Sequence, residues 1–484
     1  MTDPLCFRSV PELALEMRRD TVSAVDVVEA HLERIEDRDE RTNAFVEVFE
    51  RDALAAAREA DRARREGEEL GPLHGLPVAV KDNYAVGGKR FTNGCVPLSE
   101  NVAEEDDLTV RQLREAGAVV IGKTNTPEFA TKGVTDNDLF GATGTPFDRT
   151  RMAGGSSGGS AAAAGDGMAP IGLGTDGGGS LRIPASACGV FGMKPSFGRV
   201  PIPLRPDGFA HHTPMRGRGA LTRTVEGAAM VLDVLSGYHP SDPFTVETGE
   251  SDFVAATRRP ISDMTIAYSV DLGGTFPVDE RVRRRFHEAV DAFKSGPAEF
   301  VEVDPELPRS RTEMYRCWKT GFSVVLAEAL EHMKQDGTDL LGEHREALDA
   351  QNVADAEAAM ELGAVEYRRT DVVRTEVFEA FQSLFAEYDL LLLPTIAVPP
   401  FEHGKWGPEE VEGESVDPVL EWALTWLFNL TGHPAASVPA GVTRGGLPVG
   451  MQIVGPRFAD QRVLAASGAF ERIKPWHDTY DELR

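Results

Sequence analysis

The stretch GGSSGGSAAAAGDG, Gly154 to Gly167, is followed after only five residues by LGTDGGGSLRIP, Leu173 to Pro184. Four consecutive alanines are strong helix formers, so the first cluster runs directly into a helix. The apolar run MAPIGLG, Met168 to Gly174, reads as a buried central strand that ends at the second cluster. Ser156 and Ser180, 24 positions apart, therefore both stand where a regular element meets a loop, in the loop, helix, strand, loop succession of an α/β sheet.

The pattern continues on either side. LTVRQLREAGA from Leu108 reads as a helix with a glycine stop, and VVIGKTN from Val119 as a strand running into a loop. LPVAV, Leu76 to Val80, is a short buried strand leading into KDNYAV, and Ser9 to Arg65 reads as two or three helices. Downstream, GALTRTVEGAAMVLDVLSG from Gly219 reads as a helix, and Asp279 to about Phe385 is mostly helical. LLLLPT from Leu390 is a buried strand, and GLPVGMQIVG from Gly446 closes the sheet before a last helix around Gln461 to Ile473. The words GLPV at Gly75 and Gly446 read as two strands of one sheet. No linker separates halves, so one α/β domain over residues 1–484 is expected, on a large mixed, mostly parallel sheet covered by helices on both faces. Its parts are N-terminal helices at about 9–65, a core at about 70–235, a helical segment at about 279–385, and C-terminal strands and a helix at about 388–484.

Composition narrows the function. With 78 acidic against 50 basic residues, only ten of them lysine, the formal charge is −28. Such a surface repels phosphate backbones, so no nucleic-acid partner is expected, and it suits solubility in high salt. Cys6, Cys95, Cys188 and Cys317 lie far apart with no C-x-x-C pair, which argues against a disulfide scaffold or a zinc ribbon and for buried small side chains. The start MTDPLCFRSVPELALEMRRD lacks the basic and apolar runs of a secretory signal, and no apolar stretch is long enough to span a membrane. A cytoplasmic location without membrane contact is the expectation.

Three chemistries compete for the clusters. Phosphate binding fails first, because a P-loop needs Gly-Lys-Ser/Thr and no lysine stands in either cluster. The letters G-x-S-x-G do occur around Ser156 and Ser157, but TPFDRTRMA before them is no buried strand, and a hydrolase of that kind also needs a histidine. His433 and His212 are the candidates for this Ser-His-Asp alternative. The third option is a lysine base. Lys81 ends the strand LPVAV, so alternation turns Asp82 away if Lys81 faces a site, and desolvation can then lower the lysine enough for it to accept a proton. In TDGGGS the amides of Gly177, Gly178, Gly179 and Ser180 can turn inward without side-chain obstruction, forming a nest of donors for an oxyanion, with Ser180 as nucleophile.

These residues resemble the amidase signature family. The likeness covers GLPVAVKDN at Gly75, IGKTNTPEFA at Ile121, GGSSGGSAAA at Gly154, GTDGGGSLRIPASACGVFGMKPSFGRV from Gly174, and GHPAASVPAGVTRGGLPVGMQIVG from Gly432. The resemblance implies a Ser-Ser-Lys triad: Lys81 as buried base, Ser156 as bridging serine after a cis peptide bond, and Ser180 as the acyl-forming nucleophile. It implies that Asp176 and Arg182 orient the loop with Ser157 in support, and that a small amide is hydrolysed without metal or organic cofactor. A homodimer is compatible with it.

Departures are specific. Gly177 stands where the family usually carries threonine, isoleucine or a small residue, FTNGC at Phe91 differs from the common T-x-G-S form, and His211 and His212 lie in a variable segment that can face substrate. The glutamine-specific segment found in the family's tRNA-dependent amidotransferase branch is replaced by PIPLRPDGFAHHTPMRGRGALTRT, which favours a stand-alone amidase over a glutaminase subunit. Trp318, Phe322, Trp406, Trp422 and Trp426 hint at an apolar pocket, and equally at core.

Overall fold

The structure, a computed structural model, describes residues 4–211, 214–249 and 251–483. Its strands are β1 (Phe45–Val48), β2 (Pro77–Lys81), β3 (Val119–Thr124), β4 (Gly144–Thr145), β5 (Asp148–Met152), β6 (Ile171–Asp176), β7 (Phe191–Lys194) and β8 (Gly217–Thr222). They continue with β9 (Thr265–Tyr268), β10 (Glu299–Glu302), β11 (Leu390–Pro394), β12 (Glu410–Val411), β13 (Glu414–Ser415), β14 (Ala435–Val442) and β15 (Pro448–Val454). Eleven of them form one sheet in the order β1, β3, β2, β6, β8, β7, β14, β15, β11, β9, β10. The two GLPV echoes do end in this one sheet, as β2 and β15.

The sheet is mixed, as expected. Parallel ladders join β3 to β2 to β6 and β11 to β9 to β10, whereas the ladders from β6 to β11 and the β1 to β3 edge are antiparallel. "Mostly parallel" thus holds for two blocks and not for the middle. The reason is connection length: a parallel pair needs a crossover, while β14 and β15 are joined by a short turn that permits only a hairpin.

Central strands such as β2, β3, β11 and β15 are buried along their whole length, which is why they read as continuous apolar runs. The alanine-rich helix Gly158–Gly165 is also wholly buried. Its small residues permit close approach: a Cβ at Gly172 of β6 would lie 2.4 Å from Ser160 O of this helix. Helix ends follow the local sequence, with capping boxes at Ser9–Glu12, Ser23–Asp26 and Ser310–Glu313.

Three readings need correction. Ser9 to Arg65 does hold three helices, Val10–Arg18, Ala24–Thr42 and Glu50–Glu66, but β1 lies between the last two. The stretch from Gly219 is not one helix: it completes β8 and then forms the helix Val225–Leu235. The segment from Asp279 to Phe385 contains β10, an edge strand beside its helices. β1 and β10 are four-residue, half-exposed edges, so periodicity had little to register, whereas β8 is buried throughout but its glycines and arginine break the apolar run. All four cysteines are buried and unbridged. Among the described residues no helix is long and apolar enough to cross a membrane.

Candidate active site

Lys81 ends β2, and Thr175 and Asp176 end the adjacent β6. The parallel register pairs Val80 with Leu173, so both strands reach the same edge of the sheet together. There Lys81 Nζ hydrogen-bonds Ser156 Oγ at 2.7 Å and donates to Thr175 Oγ1 at 3.0 Å. Asp82 points the other way, as strand alternation requires, and pairs with Lys123 at 2.9 Å. Lys81 is wholly buried. Burial holds its amine well below the ordinary lysine value, and the opposing pull of Asp176 does not restore it.

Ser156 is buried and follows a cis peptide bond from Gly155. Position 155 has no space for a side chain, since a Cβ there would lie 2.4 Å from Val134 O. Thr135 fastens this loop on both sides: its Oγ1 donates to Gly154 O at 2.8 Å and accepts from Gly158 N at 3.0 Å. Ser157 ties the loop to β6, its Oγ donating to Thr175 O at 3.2 Å and accepting from Thr175 N at 3.3 Å. Ser180, half-buried, lines the same cavity as Ser156, a space of about 420 Å³.

The loop that carries Ser180 is held from below by charge. Asp176 accepts from Gly179 N at 2.9 Å and Leu181 N at 3.2 Å, and Arg182 clamps it through Nε at 3.0 Å and Nη2 at 2.9 Å. Arg182 also reaches Thr425 O at 2.8 Å, Gln452 Oε1 at 2.6 Å and Asn429 Oδ1 at 2.7 Å. Both charges are fully buried, so this is no surface pair. Burial pushes the Asp176 carboxyl up, but the Arg182 guanidinium outweighs it and keeps the group below its usual range.

Carbonyl partners orient the loop's amides. Gly177 O accepts from Trp318 Nε1 at 2.9 Å, Gly178 O from Thr425 Oγ1 at 2.6 Å, and Gly179 O from Ile183 N at 2.7 Å. A trans peptide points its N–H opposite its C=O, so the amides of Gly178 and Ser180 face away from those partners. The N–H of Gly179 is already committed to Asp176. Of the four amides expected to receive an oxyanion, that of Gly179 is therefore occupied, and those of Gly177, Gly178 and Ser180 are left.

Residues 26–464 match the family described as Amidase. The chain belongs to the amidase family. It is 34% identical over 479 residues to an acylamidase of Rhodococcus erythropolis, covering 98% of this chain and 97% of that one. It is 33% identical over 503 residues to a glutamyl-tRNA(Gln) amidotransferase subunit of Carboxydothermus hydrogenoformans, covering 99% and 100%. Among solved structures, a bacterial aryl acylamidase of the amidase signature family superposes with a TM-score of 0.95 at 35% identity, covering 99% of both chains. The glutamyl-tRNA(Gln) amidotransferase subunit of Thermotoga maritima superposes with a TM-score of 0.78 at 29% identity, covering 98% and 97%. Hydrolysis of an amide C–N bond is accordingly the reaction of this amidase.

Of the histidines singled out in the sequence, the two that are described take no part in this constellation. His433 is buried among Phe378, Phe381 and Phe385, with Nδ1 2.7 Å from Thr431 Oγ1, and burial pushes it down to about 3. It does not line the cavity. His211 is buried against Phe197 and Phe244, its Nε2 3.2 Å from Asp242, and does not face the cavity either. His212 lies outside the described residues. Of the five aromatic candidates Phe322 lines the cavity, Trp318 supports the loop that carries Ser180, Trp422 and Trp426 are core, and Lys132 sits over Trp406. Thr425 and Asn429 had no sequence signal of their own; Thr175 and Gln452 lie in quoted stretches without an assigned role, and Trp318 was expected only as a pocket or core aromatic.

Proposed function

We propose that this amidase hydrolyses an aryl or similarly apolar amide through a serine acyl-enzyme, with Lys81, Ser156 and Ser180 as a proton relay. The observation that carries the reading is the 2.7 Å contact between a fully buried, charge-poor lysine and the hydroxyl of Ser156. Neutral Lys81 takes the proton of Ser156, Ser156 takes that of Ser180, and Ser180 Oγ attacks the carbonyl carbon. The amides of Gly177, Gly178 and Ser180 receive the oxyanion, each donor worth about 10²–10³ in rate. Ser156 returns the proton to the leaving amine, and water repeats the route to release the acid. Phe129, Ile202, Phe322, Leu326 and Met333 give the cavity an apolar wall that suits an aryl group. The likeness to acylamidases supports a stand-alone hydrolase over an amidotransferase component; a cytoplasmic enzyme, acting as a single unit of residues 1–484 or as its homodimer, completes the reading.

The test is a fluorophosphonate probe with mass-spectrometric mapping of the adduct. One adduct on Ser180, competed by acetanilides and lost in Lys81→Ala but kept in His433→Ala, is expected. An adduct on another serine, or full labelling of Lys81→Ala, overturns the relay.

A further inference from the structure

Arginines around the cavity differ in one respect. Arg182 is saturated by Asp176, Thr425, Gln452 and Asn429. Arg218 pairs with Asp107 at 2.6 Å, donates to Thr109 Oγ1 at 2.6 Å and lies over the Tyr84 ring. Arg205, at the rim, donates to Leu204 O and Ser241 O. The Arg216 side chain also lines the cavity, yet it makes neither a hydrogen bond nor an ion pair among the described residues. It stands beside the nucleophile loop: a Cβ on Gly177 would lie 3.9 Å from Arg216 Cγ.

A guanidinium is charged at neutral pH and has five donors to satisfy. Burial, reinforced by Arg218, pushes Arg216 down to about 10, which leaves it a cation at pH 7 and at a cost. Glu328 is the carboxylate that most opposes this, but it lies beyond ion-pair contact, and its own carboxyl is raised by burial and by a hydrogen bond shared with Asp207. A cation held this way beside the reacting centre gains most from a partner that arrives with the substrate.

We propose that Arg216 binds a carboxylate carried by the substrate, so that the preferred amides of this enzyme are anionic and not merely apolar. The inference rests on the amidase reading above and names its substrate class. Gly177 contributes by having no side chain between the loop and the Arg216 stem. The apolar wall then takes the aryl group while Arg216 takes the charge, and this division orients the scissile carbonyl toward Ser180.

The test compares kcat/KM for two matched pairs, N-phenylsuccinamate against N-phenylpentanamide and 4-acetamidobenzoate against 4′-methylacetanilide, in the wild type, Arg216→Leu and Arg216→Lys. The pairs place the carboxylate on the acyl and on the amine side respectively. The wild type is expected to prefer the carboxylate in at least one pair by tenfold or more, the usual size of a charge-assisted hydrogen bond. That ratio collapses toward one in Arg216→Leu and is partly kept in Arg216→Lys. Calorimetric binding of 4-phenylbutyrate, weakened about tenfold in Arg216→Leu, reads the same site without turnover. No preference in the wild type, or a preference that survives Arg216→Leu, overturns the proposal. Inertness toward all four anilides with the calorimetric difference intact refutes the aryl-amide reading and sustains the anion site.

Discussion

Gly178→Ala is the sharpest probe of the nucleophile loop, because the structure supplies an internal control at the adjacent residue. The backbone at Gly178 does not require a left-handed conformation, so alanine is allowed there by its dihedrals. Space is the obstacle. An added Cβ would lie 2.5 Å from Trp318 Cζ2 and 2.7 Å from Leu420 Cδ2, about 0.9 Å short of ordinary contact with the ring. Trp318 cannot yield freely, since its Nε1 holds Gly177 O. The loop must therefore move by most of an ångström, which displaces the amides of Gly178 and Ser180 from the oxyanion. Loss of one such donor costs about 10²–10³ in kcat, and a shift of this size alone costs about 10². At Gly177 an added Cβ would come closest to the end of the Phe322 ring, at 3.3 Å, and would touch Arg216 Cγ at an ordinary 3.9 Å. Gly177→Ala keeps the same N–H and needs almost no movement, so its loss is expected to stay under about tenfold. The assay is steady-state hydrolysis of an anilide, with thermal melts to show that both variants fold. If Gly178→Ala retains kcat within about threefold of the wild type, or if Gly177→Ala is the more damaged, the placement of the oxyanion donors on this loop is wrong.

Two further outcomes follow from the buried charges. The relay needs Lys81 unprotonated, and burial lowers its pKa, so kcat/KM is high above that lowered value and falls about tenfold per pH unit below it; a rate that climbs as the solution is acidified contradicts a lysine base. Arg182→Gln leaves Asp176 buried without its counter-charge and is expected to destabilise the fold by about 3–5 kcal/mol in urea unfolding; a change under about 1 kcal/mol means that Asn429 and the amides of Gly179 and Leu181 suffice to hold the carboxylate.

Legibility in the sequence followed how local each determinant is. β2 and β11, and the helix Gly158–Gly165, were readable because continuous apolar or alanine runs specify buried strands and helices within a few residues. The short edges β1 and β10 were not, because four half-exposed residues owe their strand conformation to a neighbour's free backbone groups and not to their own pattern. The same division runs through the site. Lys81, Ser156, Ser180, Asp176 and Arg182 stood out by residue type at motif spacing, and the structure gathers them at one edge of the sheet. Which amides of the glycine loop stay available was decided only by tertiary structure, since Trp318 and Thr425 approach from more than 140 positions away in the chain and hold the carbonyls of Gly177 and Gly178, and Asn429 holds that of Asp176. The Arg216 guanidinium, unpaired among the described residues, has the same origin. A sequence determines which groups can react, because reactivity belongs to the side chain; the partners that occupy or spare each group are set by packing between segments that no local pattern connects.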